Sequence, residues 1–447
     1  MPRSGRHLQQ SPRSHAEGSD LVGIKIAVVG GGSTYTPELI EGFHTRRDRL
    51  PLDEVVLHDI DDERLEVVGG LARRILQKHE WPGRLVVTKD RERALDGASF
   101  VIVQLRVGGQ AARLVDETLP LEFGCIGQET TGPGGFAKAL RTVPVVLDIA
   151  EETARRGAPG AWLIDFTNPV GIVMQALLDH GHRAIGLCNS AMGFQRRFAQ
   201  LLGREPEHVF LDHVGLNHLT WERAVNVDGT DRLPELIERA AEEMAADIGI
   251  PGDLIRLLNA VPSYYLRYFY ATDEVLREQI SGRKKSRAEE VMEIERGLLE
   301  MYRDPNLTEK PALLERRGGA YYSEAAAQLI ASLQADTGDQ QVVDIRNDGA
   351  LPDLPDDAVV EIPARVGKGG ARADPLAALA PEMLGLVQQV KAYERLAVKA
   401  AVDGDRPAAL KALLANPLVG QYKIAKPLLD ALLEANRAHL PRFFPQA

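Results

Sequence analysis

The chain has 447 residues, 44% of them hydrophobic and 26% charged, with a formal net charge of −11, a length that suits two domains sharing a large interface. The acidic balance argues against nucleic acid and anionic membranes as partners, although a local pocket of arginines can still oppose it around a small anion. Only two cysteines, Cys125 and Cys188, speak against a disulfide scaffold and for a reducing, cytoplasmic home, and the lack of any apolar run of about 18 residues excludes a helical membrane span.

In chain order, residues 1–23 are polar, lack the apolar stretch of a secretory signal and are expected to form a disordered tail. Six short apolar runs follow: Lys25–Gly30, Glu54–Asp59, Leu85–Thr88, Phe100–Leu105, Trp162–Thr167 and Arg183–Cys188. Continuous apolar character, mostly Val and Ile, is how a strand buried on both faces reads. Helical stretches, among them Asp62–Lys78 and Phe136–Arg155, separate most of the runs. The pattern predicts an α/β fold, with a Rossmann-like, doubly wound parallel sheet over residues 24–193. From residue 194 to 447 the rhythm changes to long helices, Pro234–Asp247, Ser286–Tyr302, Glu324–Ala335, Glu382–Val402 and Ile424–His439, with strands at Gln341–Arg346 and Ala358–Ile362. This predicts a C-terminal α+β domain carrying catalysis, substrate binding and oligomerisation.

The first run ends in Gly30-Gly31-Gly32-Ser33-Thr34-Tyr35, and Pro37 opens a helix. Such glycines let backbone approach a pyrophosphate lying on a helix N-terminus. Asp59, at the end of the second strand, can take ribose hydroxyls and would repel a 2′-phosphate, which favours NAD over NADP. Tyr35 occupies the place of the third glycine in G-x-G-x-x-G, so the loop alone also reads as an ordinary tight turn.

Ligands of open α/β sheets bind at the carboxyl ends of strands. Those ends carry Arg106, Asn168, Cys188 and Asn189, with His218 slightly later. Each has a plainer reading: Cys188 as a small core hydrophobe, Asn168 as a turn former before Pro169, Arg106 as a surface ion pair and His218 as a satisfied histidine. Taken together, Cys188 and His218 form a partial metal site open to several divalent ions. Tyr264, Tyr265, Tyr268, Phe269 and Tyr270 read most simply as a core stripe. The loop Gly127–Phe136 reads as a flexible surface loop or as a mobile cover over a cofactor.

The segments GGGSTYTPEL (30–39), IGQETTGPGGF (126–136), FTNPVG (166–171), GLCNS (186–190), GLNHL (215–219), YLRY (265–268), SRAEEVMEIE (286–295) and RGGAYYSEAA (317–326) together resemble glycoside hydrolase family 4, the NAD- and metal-dependent glycosidases. The resemblance implies that Cys188 and His218 hold a divalent metal, with Mn²⁺ favoured by analogy. It implies that Arg106 and Asn168 bind substrate and that Arg287 holds it near a phosphate. Tyr265 matches the catalytic base in the YLRY register, with Tyr264 the alternative one residue away. Asn189, at the catalytic and substrate-binding position after the metal cysteine, resembles the branch that acts on 6-phospho-β-glucosides. Ser190 departs from the Val expected next.

The chemistry this implies differs from the usual two-carboxylate scheme. NAD oxidises C3 of the sugar, the C2 proton becomes acidic, and the metal acts as a Lewis acid on the C2 and C3 oxygens. Tyr265 removes the C2 proton, the group at C1 leaves, water adds, and the hydride returns. A free tyrosine titrates near about 10, so nearby cations are expected to lower it. Expected partners are a phosphorylated glycoside and further copies of the chain, as a dimer or tetramer. Competing readings are another specificity in the same family, an NAD-dependent 2-hydroxy-acid dehydrogenase without metal, and an NAD-binding regulator without catalysis.

Overall fold

Runs of Val, Ile and Leu have to leave water on both faces, and here they do so as six parallel strands. The computed structural model describes residues 23–319 and 321–445; apart from Gly23, the expected tail lies outside them. The strands are β1 (Ile24–Val29), β2 (Leu52–His58), β3 (Arg84–Thr88), β4 (Phe100–Val103), β5 (Trp162–Asp165) and β6 (Ala184–Gly186). They lie in the order 3-2-1-4-5-6, the doubly wound arrangement, with a switch point between β1 and β4. Most ends fall a residue or more short of the apolar runs, because the last residues turn out of the sheet toward the crevice.

The crossovers are helical. They include α1 (Thr36–Thr45), α2 (Asp62–Lys78), α3 (Arg91–Leu95), α4 (Gly109–Thr118), α5 (Gly132–Arg156) and α6 (Val170–Asp179), and α7 (Ser190–Leu202) follows β6. Asp61 caps α2 by accepting from the Arg64 N–H, and leucine, valine and isoleucine at helical spacing turn its apolar side to the sheet.

The expected boundary at 193/194 falls inside α7, and the sheet runs past it. After β7 (Phe210–Leu216), β8 (Leu219–Val227), β9 (Thr230–Asp231) and β10 (Val261–Pro262), which form a smaller sheet, the chain returns to the large one. There β11 (Asp339–Arg346) pairs antiparallel with β6, and β12 (Val359–Gly367) and β13 (Gly370–Arg372) extend it to nine strands. One continuous apolar core spans both halves, from Ile26 and Val101 to Val360, Ala397 and Leu428.

The β7–β8 hairpin has no counterpart in the sequence expectations. His213 and Glu222 are fully buried in it, so its strands lack the apolar alternation that marks a strand. The loop Gly127–Phe136 also differs from both expectations: its second half is the buried first turn of α5. A Cβ at Gly134 would lie 2.3 Å from the Asp116 carbonyl oxygen, so the glycines here serve close backbone packing, neither a surface loop nor a mobile cover.

Candidate active site

The ends of β1, β2, β4 and β5 open into one cavity of about 1000 Å³, lined among others by Gly30, Asp59, Arg106, Asn168, Lys138 and Tyr322. It lies at the switch point, where crossovers leave in opposite directions and keep the strand ends clear.

At one end the wall is mainly backbone. Gly30 and Gly31 donate to the His58 carbonyl at 2.9 and 2.8 Å, which turns the chain sharply out of β1. Gly30 has φ +91°, and a Cβ there would lie 2.5 Å from the Gln104 carbonyl oxygen. Asp59 Oδ2 accepts from the Gly32 N–H at 2.9 Å, and Oδ1 accepts from the Ile60 N–H at 2.8 Å. Asp59 lines the cavity, and hydroxyl donors there would suit a carboxylate. Ser33 also lines the cavity. Thr34 does not: it is fully buried, and its hydroxyl sits between Glu295 (3.2 Å) and the Arg317 Nε–H (2.8 Å). Tyr35, the residue in place of a glycine, accepts from the Ser323 N–H on its hydroxyl at 3.0 Å and meets Tyr322 edge-on. The departure from the fingerprint is thus a strut between loop and C-terminal half.

At the other end the wall is side chains. Glu129 gathers Arg106, Arg113 and Lys138, the last at 2.7 Å. Burial opposes its charge, but Arg106, Lys138 and Arg113 outweigh burial and hold Glu129 well below the carboxylate range. Lys138 is pulled down to about 7 by burial and by Arg106, against the pull of Glu129. Glu129, Lys138, Arg113, Glu295, Arg317 and Tyr322 are not among the residues the sequence singles out. The GPGGFAKALR run of α5 was the available signal, since a lysine within a glycine-rich, otherwise apolar helix start has to be paired.

Asn168 lines the cavity, and its Oδ1 is buried with no hydrogen-bond partner, an acceptor aimed at something the protein itself does not supply. His218 lies with Asn217 at the tip of the β7–β8 hairpin, at φ +62°, a left-handed conformation uncommon outside glycine. Its Nδ1 is 3.0 Å from Thr130 Oγ1; an Nδ1–H tautomer there leaves the Nε2 lone pair for a metal. Burial lowers its pKa to about 4, so it is neutral and able to ligate. The Tyr265 ring stacks on the imidazole with centroids 3.6 Å apart. Tyr264 is 43% exposed and turns its hydroxyl to Arg267, so of the two tyrosines it is Tyr265 that packs on His218.

Cys188 ends the turn after β6 and is buried. Burial raises its thiol well above the usual range, and Glu361 and Asp344 push the same way. Asn189 follows it, half-buried, at the N-cap of α7. The Tyr265 hydroxyl is also pushed up, by burial first and then by Cys188, Tyr268, Glu129 and Tyr264. Arg106 and Lys138 are both spent on Glu129, so the charge expected to lower the Tyr265 hydroxyl has to come from another cation. Arg287 is not among the cavity-lining residues. It is exposed, and its guanidinium donates to the Arg316 and Arg317 carbonyls at 2.9 and 3.1 Å. It holds the loop whose Arg317 does line the cavity.

The donor set fits both groups the sequence implied. A glycine turn, a helix start and Asp59 suit a dinucleotide. A thiol, a neutral imidazole and an orphan amide oxygen are donor types that suit a divalent cation, and they line three neighbouring hollows: Asn168 the large cavity, Cys188 and His218 two smaller ones. Among the described residues no three His, Cys, Asp or Glu side chains gather as a closed cage. A metal held by few protein ligands keeps positions for substrate oxygens, as a catalytic site requires.

The chain belongs to the family 4 glycosyl hydrolases. Residues 25–204 match the model described as family 4 glycosyl hydrolase, and residues 213–419 match that of its C-terminal domain. A probable 6-phospho-beta-glucosidase of Bacillus subtilis (strain 168) is 43% identical over 94% of this chain and 98% of its own length. The structure of the 6-phospho-beta glucosidase from Thermotoga maritima with NAD and glucose-6-phosphate superposes with a TM-score of 0.87 at 37% identity, covering 93% of this chain and 99% of that one. Malate dehydrogenase from Salinibacter ruber shares the fold alone, with a TM-score of 0.51 at 16% identity over 85% of this chain and 97% of that one.

Proposed function

We propose that the protein hydrolyses 6-phospho-β-glucosides with NAD and a divalent metal, Mn²⁺ by preference. The observation that carries this reading is Tyr265 stacked on His218, with Cys188 among the groups that act on the Tyr265 hydroxyl and standing, like the dinucleotide turn, after the carboxyl end of a parallel strand. A plain dehydrogenase has no need of a buried tyrosine beside a thiol and a neutral imidazole. The relatives' names agree, and a Thermotoga maritima structure with manganese, NAD+ and glucose-6-phosphate superposes with a TM-score of 0.87.

Gly30 to Ser33 and Asp59 would hold the dinucleotide, and Cys188 with His218 the metal. When bound, NAD supplies reversible hydride acceptance at C3, and the metal supplies positive charge beside the C2 and C3 oxygens and the Tyr265 hydroxyl. Tyr265 takes the C2 proton on its oxygen. Asn168 and Asn189 orient the sugar by hydrogen bonds. Arg106, fixed by Glu129, binds a sugar hydroxyl, and Arg317 offers its charge to the phosphate, with Arg287 steadying its loop. Tyr35 and Tyr322 cover the crevice and keep water from it. We also propose a cytoplasmic homo-oligomer; two buried free thiols suit a reducing compartment, and light scattering that returns a monomer would remove the assembly from this reading.

The test is turnover of a 6-phospho-β-glucoside with NAD and Mn²⁺ in deuterated water. Deuterium is expected at C2 of the glucose 6-phosphate, without net NADH. Protium retained at C2, or NADH accumulating with product, sinks the reading.

A further inference from the structure

One carboxylate stands where the dinucleotide turn and the sugar end meet. Glu295, on the helix Arg287–Tyr302, is buried and lines the crevice. Its Oε1 accepts from the Thr34 hydroxyl, the Gln110 amide and the Arg317 guanidinium, each at 3.2 Å. Its Oε2 accepts from the Arg64 guanidinium at 2.9 Å. The donors come from the turn after β1, from α4, from the end of the short helix Leu313–Arg317 and from α2, so the cluster exists only in the folded chain. Thr34 is tied to the long helix a second time: its carbonyl accepts from the Tyr302 hydroxyl at 2.7 Å.

The direction of each bond is fixed by the chemistry of its ends. A guanidinium only donates and an ionised carboxylate only accepts, whereas a hydroxyl does both. Thr34 therefore gives its proton to Glu295 and accepts the Arg317 Nε–H, at 2.8 Å, on a lone pair. Burial opposes the charge of Glu295, but Arg317, Arg64 and Arg106 outweigh it and hold the carboxyl below its ordinary range. Arg317, which also lines the crevice, is thus aimed by Glu295 and by Thr34, the residue next to Ser33 in the turn that suits the dinucleotide. These contacts use its Nε–H and one N–H of the far end, which leaves donors of the guanidinium for an anion.

We propose that Glu295 is a positioning residue that, through Thr34, couples the two ends of the crevice: it aims Arg317 from the dinucleotide turn, so that bound NAD and the sugar phosphate strengthen each other's binding. This rests on the reading that NAD lies on the turn and that Arg317 meets the phosphate. A turn already held by the first ligand has less freedom to lose when the second arrives. Such coupling commonly amounts to about 5–150-fold in affinity and is equal in both directions.

The test is calorimetric titration of glucose 6-phosphate into the full-length protein, with and without saturating NAD and with no metal added. In the wild type NAD is expected to lower the glucose 6-phosphate Kd by about fivefold or more. Thr34→Val keeps the size of the side chain but drops both bonds of the hydroxyl. The coupling factor is then expected to fall to within about twofold of unity, with the NAD Kd measured alone within about threefold of wild type. Thr34→Ser keeps the hydroxyl and should keep the coupling, which a mere packing role would not. Glu295→Gln withdraws the charge that holds Arg317, should lower the factor likewise, and decides if Thr34→Val does not fold. No coupling in the wild type, or a wild-type factor in Thr34→Val or Glu295→Gln, overturns the proposal. Arg317→Ala separates the two readings. If it binds glucose 6-phosphate as the wild type does, the phosphate assignment falls, and the coupling role with it. If it loses glucose 6-phosphate while Thr34→Val keeps the wild-type factor, only the coupling role falls.

Discussion

The two ends of the crevice are built from different material. The dinucleotide end is shaped by main-chain groups: two N–H groups on one carbonyl, a left-handed glycine, and a carboxylate that closes the turn. The sugar end is shaped by side chains brought from four separate stretches of chain: Glu129 with Lys138, His213 with His218, Tyr265, and Glu361. Backbone shape tolerates few substitutions but is set locally. A side-chain constellation depends on the whole fold, and its chemistry changes when one member changes.

The sharpest test of the sugar end is Tyr265→Phe. Loss of a general base should lower kcat by about 10²–10⁴-fold and abolish exchange of the C2 proton with solvent, with NAD and Mn²⁺ binding intact. Tyr264→Phe should stay within roughly threefold, because its hydroxyl turns to Arg267. Equal losses in both would break the assignment.

Gly30→Ala tests the backbone end. A Cβ at φ +91°, 2.5 Å from a carbonyl oxygen, has to strain the turn. NAD affinity should fall by about 10–100-fold, roughly 1–3 kcal/mol, with the Mn²⁺ Kd little changed. Wild-type NAD binding in this variant would show that the turn does not carry the cofactor.

A smaller effect is expected at Arg287. It grips two carbonyls of the loop before Gly318 and stands outside the cavity lining. Arg287→Ala should raise KM for the phosphorylated substrate by roughly two- to tenfold with kcat nearly unchanged. A loss beyond about 100-fold would place its guanidinium on the phosphate itself.

The smallest effect is on stability. Burial pushes the Asp344 carboxyl well above its ordinary range, with Glu361, Asp165 and Glu394 adding to the shift. In the unfolded chain it titrates near about 3.9. Above that pH the native state keeps a proton the unfolded state gives up, so this group makes folding less favourable as pH rises toward its folded value. Asp344→Asn lacks that penalty. Its Tm should exceed that of wild type by a few degrees at pH 8, with the gain shrinking toward pH 5. A difference independent of pH would show that Asp344 is ionised in the native protein.

The same contrast explains what could be read from the residues. Lys25–Gly30, Asp62–Lys78 and the Gly30–Ser33 turn are local statements about burial and backbone, and the structure repeats them nearly residue for residue. Cys188, Asn168 and His218 were legible because each stands at a strand end or in a motif. Lys138, Glu361 and His213 were not, because an isolated charged residue in an apolar stretch says only that a partner exists. The hairpin carrying His218 escaped for that reason: its buried His213 and Glu222 erase the alternation by which strands are recognised. Thr34 carried the right motif position but spends its hydroxyl on Glu295 and Arg317, contacts more than 250 residues away in sequence.

The sheet that crosses from β6 into β11 limits how relatives can exchange parts. Asp165, Gly186 and Asp344 stand side by side on three neighbouring strands, and a Cβ on Gly186 would lie 2.8 Å from the Asp344 Cβ. A chimera that joins this N-terminal half to a foreign C-terminal half inherits that seam. Unless the incoming strand carries a side chain that fits over the bare glycine, the splice fails at the sheet, before any question of which sugar the hybrid prefers. Specificity in this fold therefore has to be altered residue by residue around the crevice; it cannot be moved as a module.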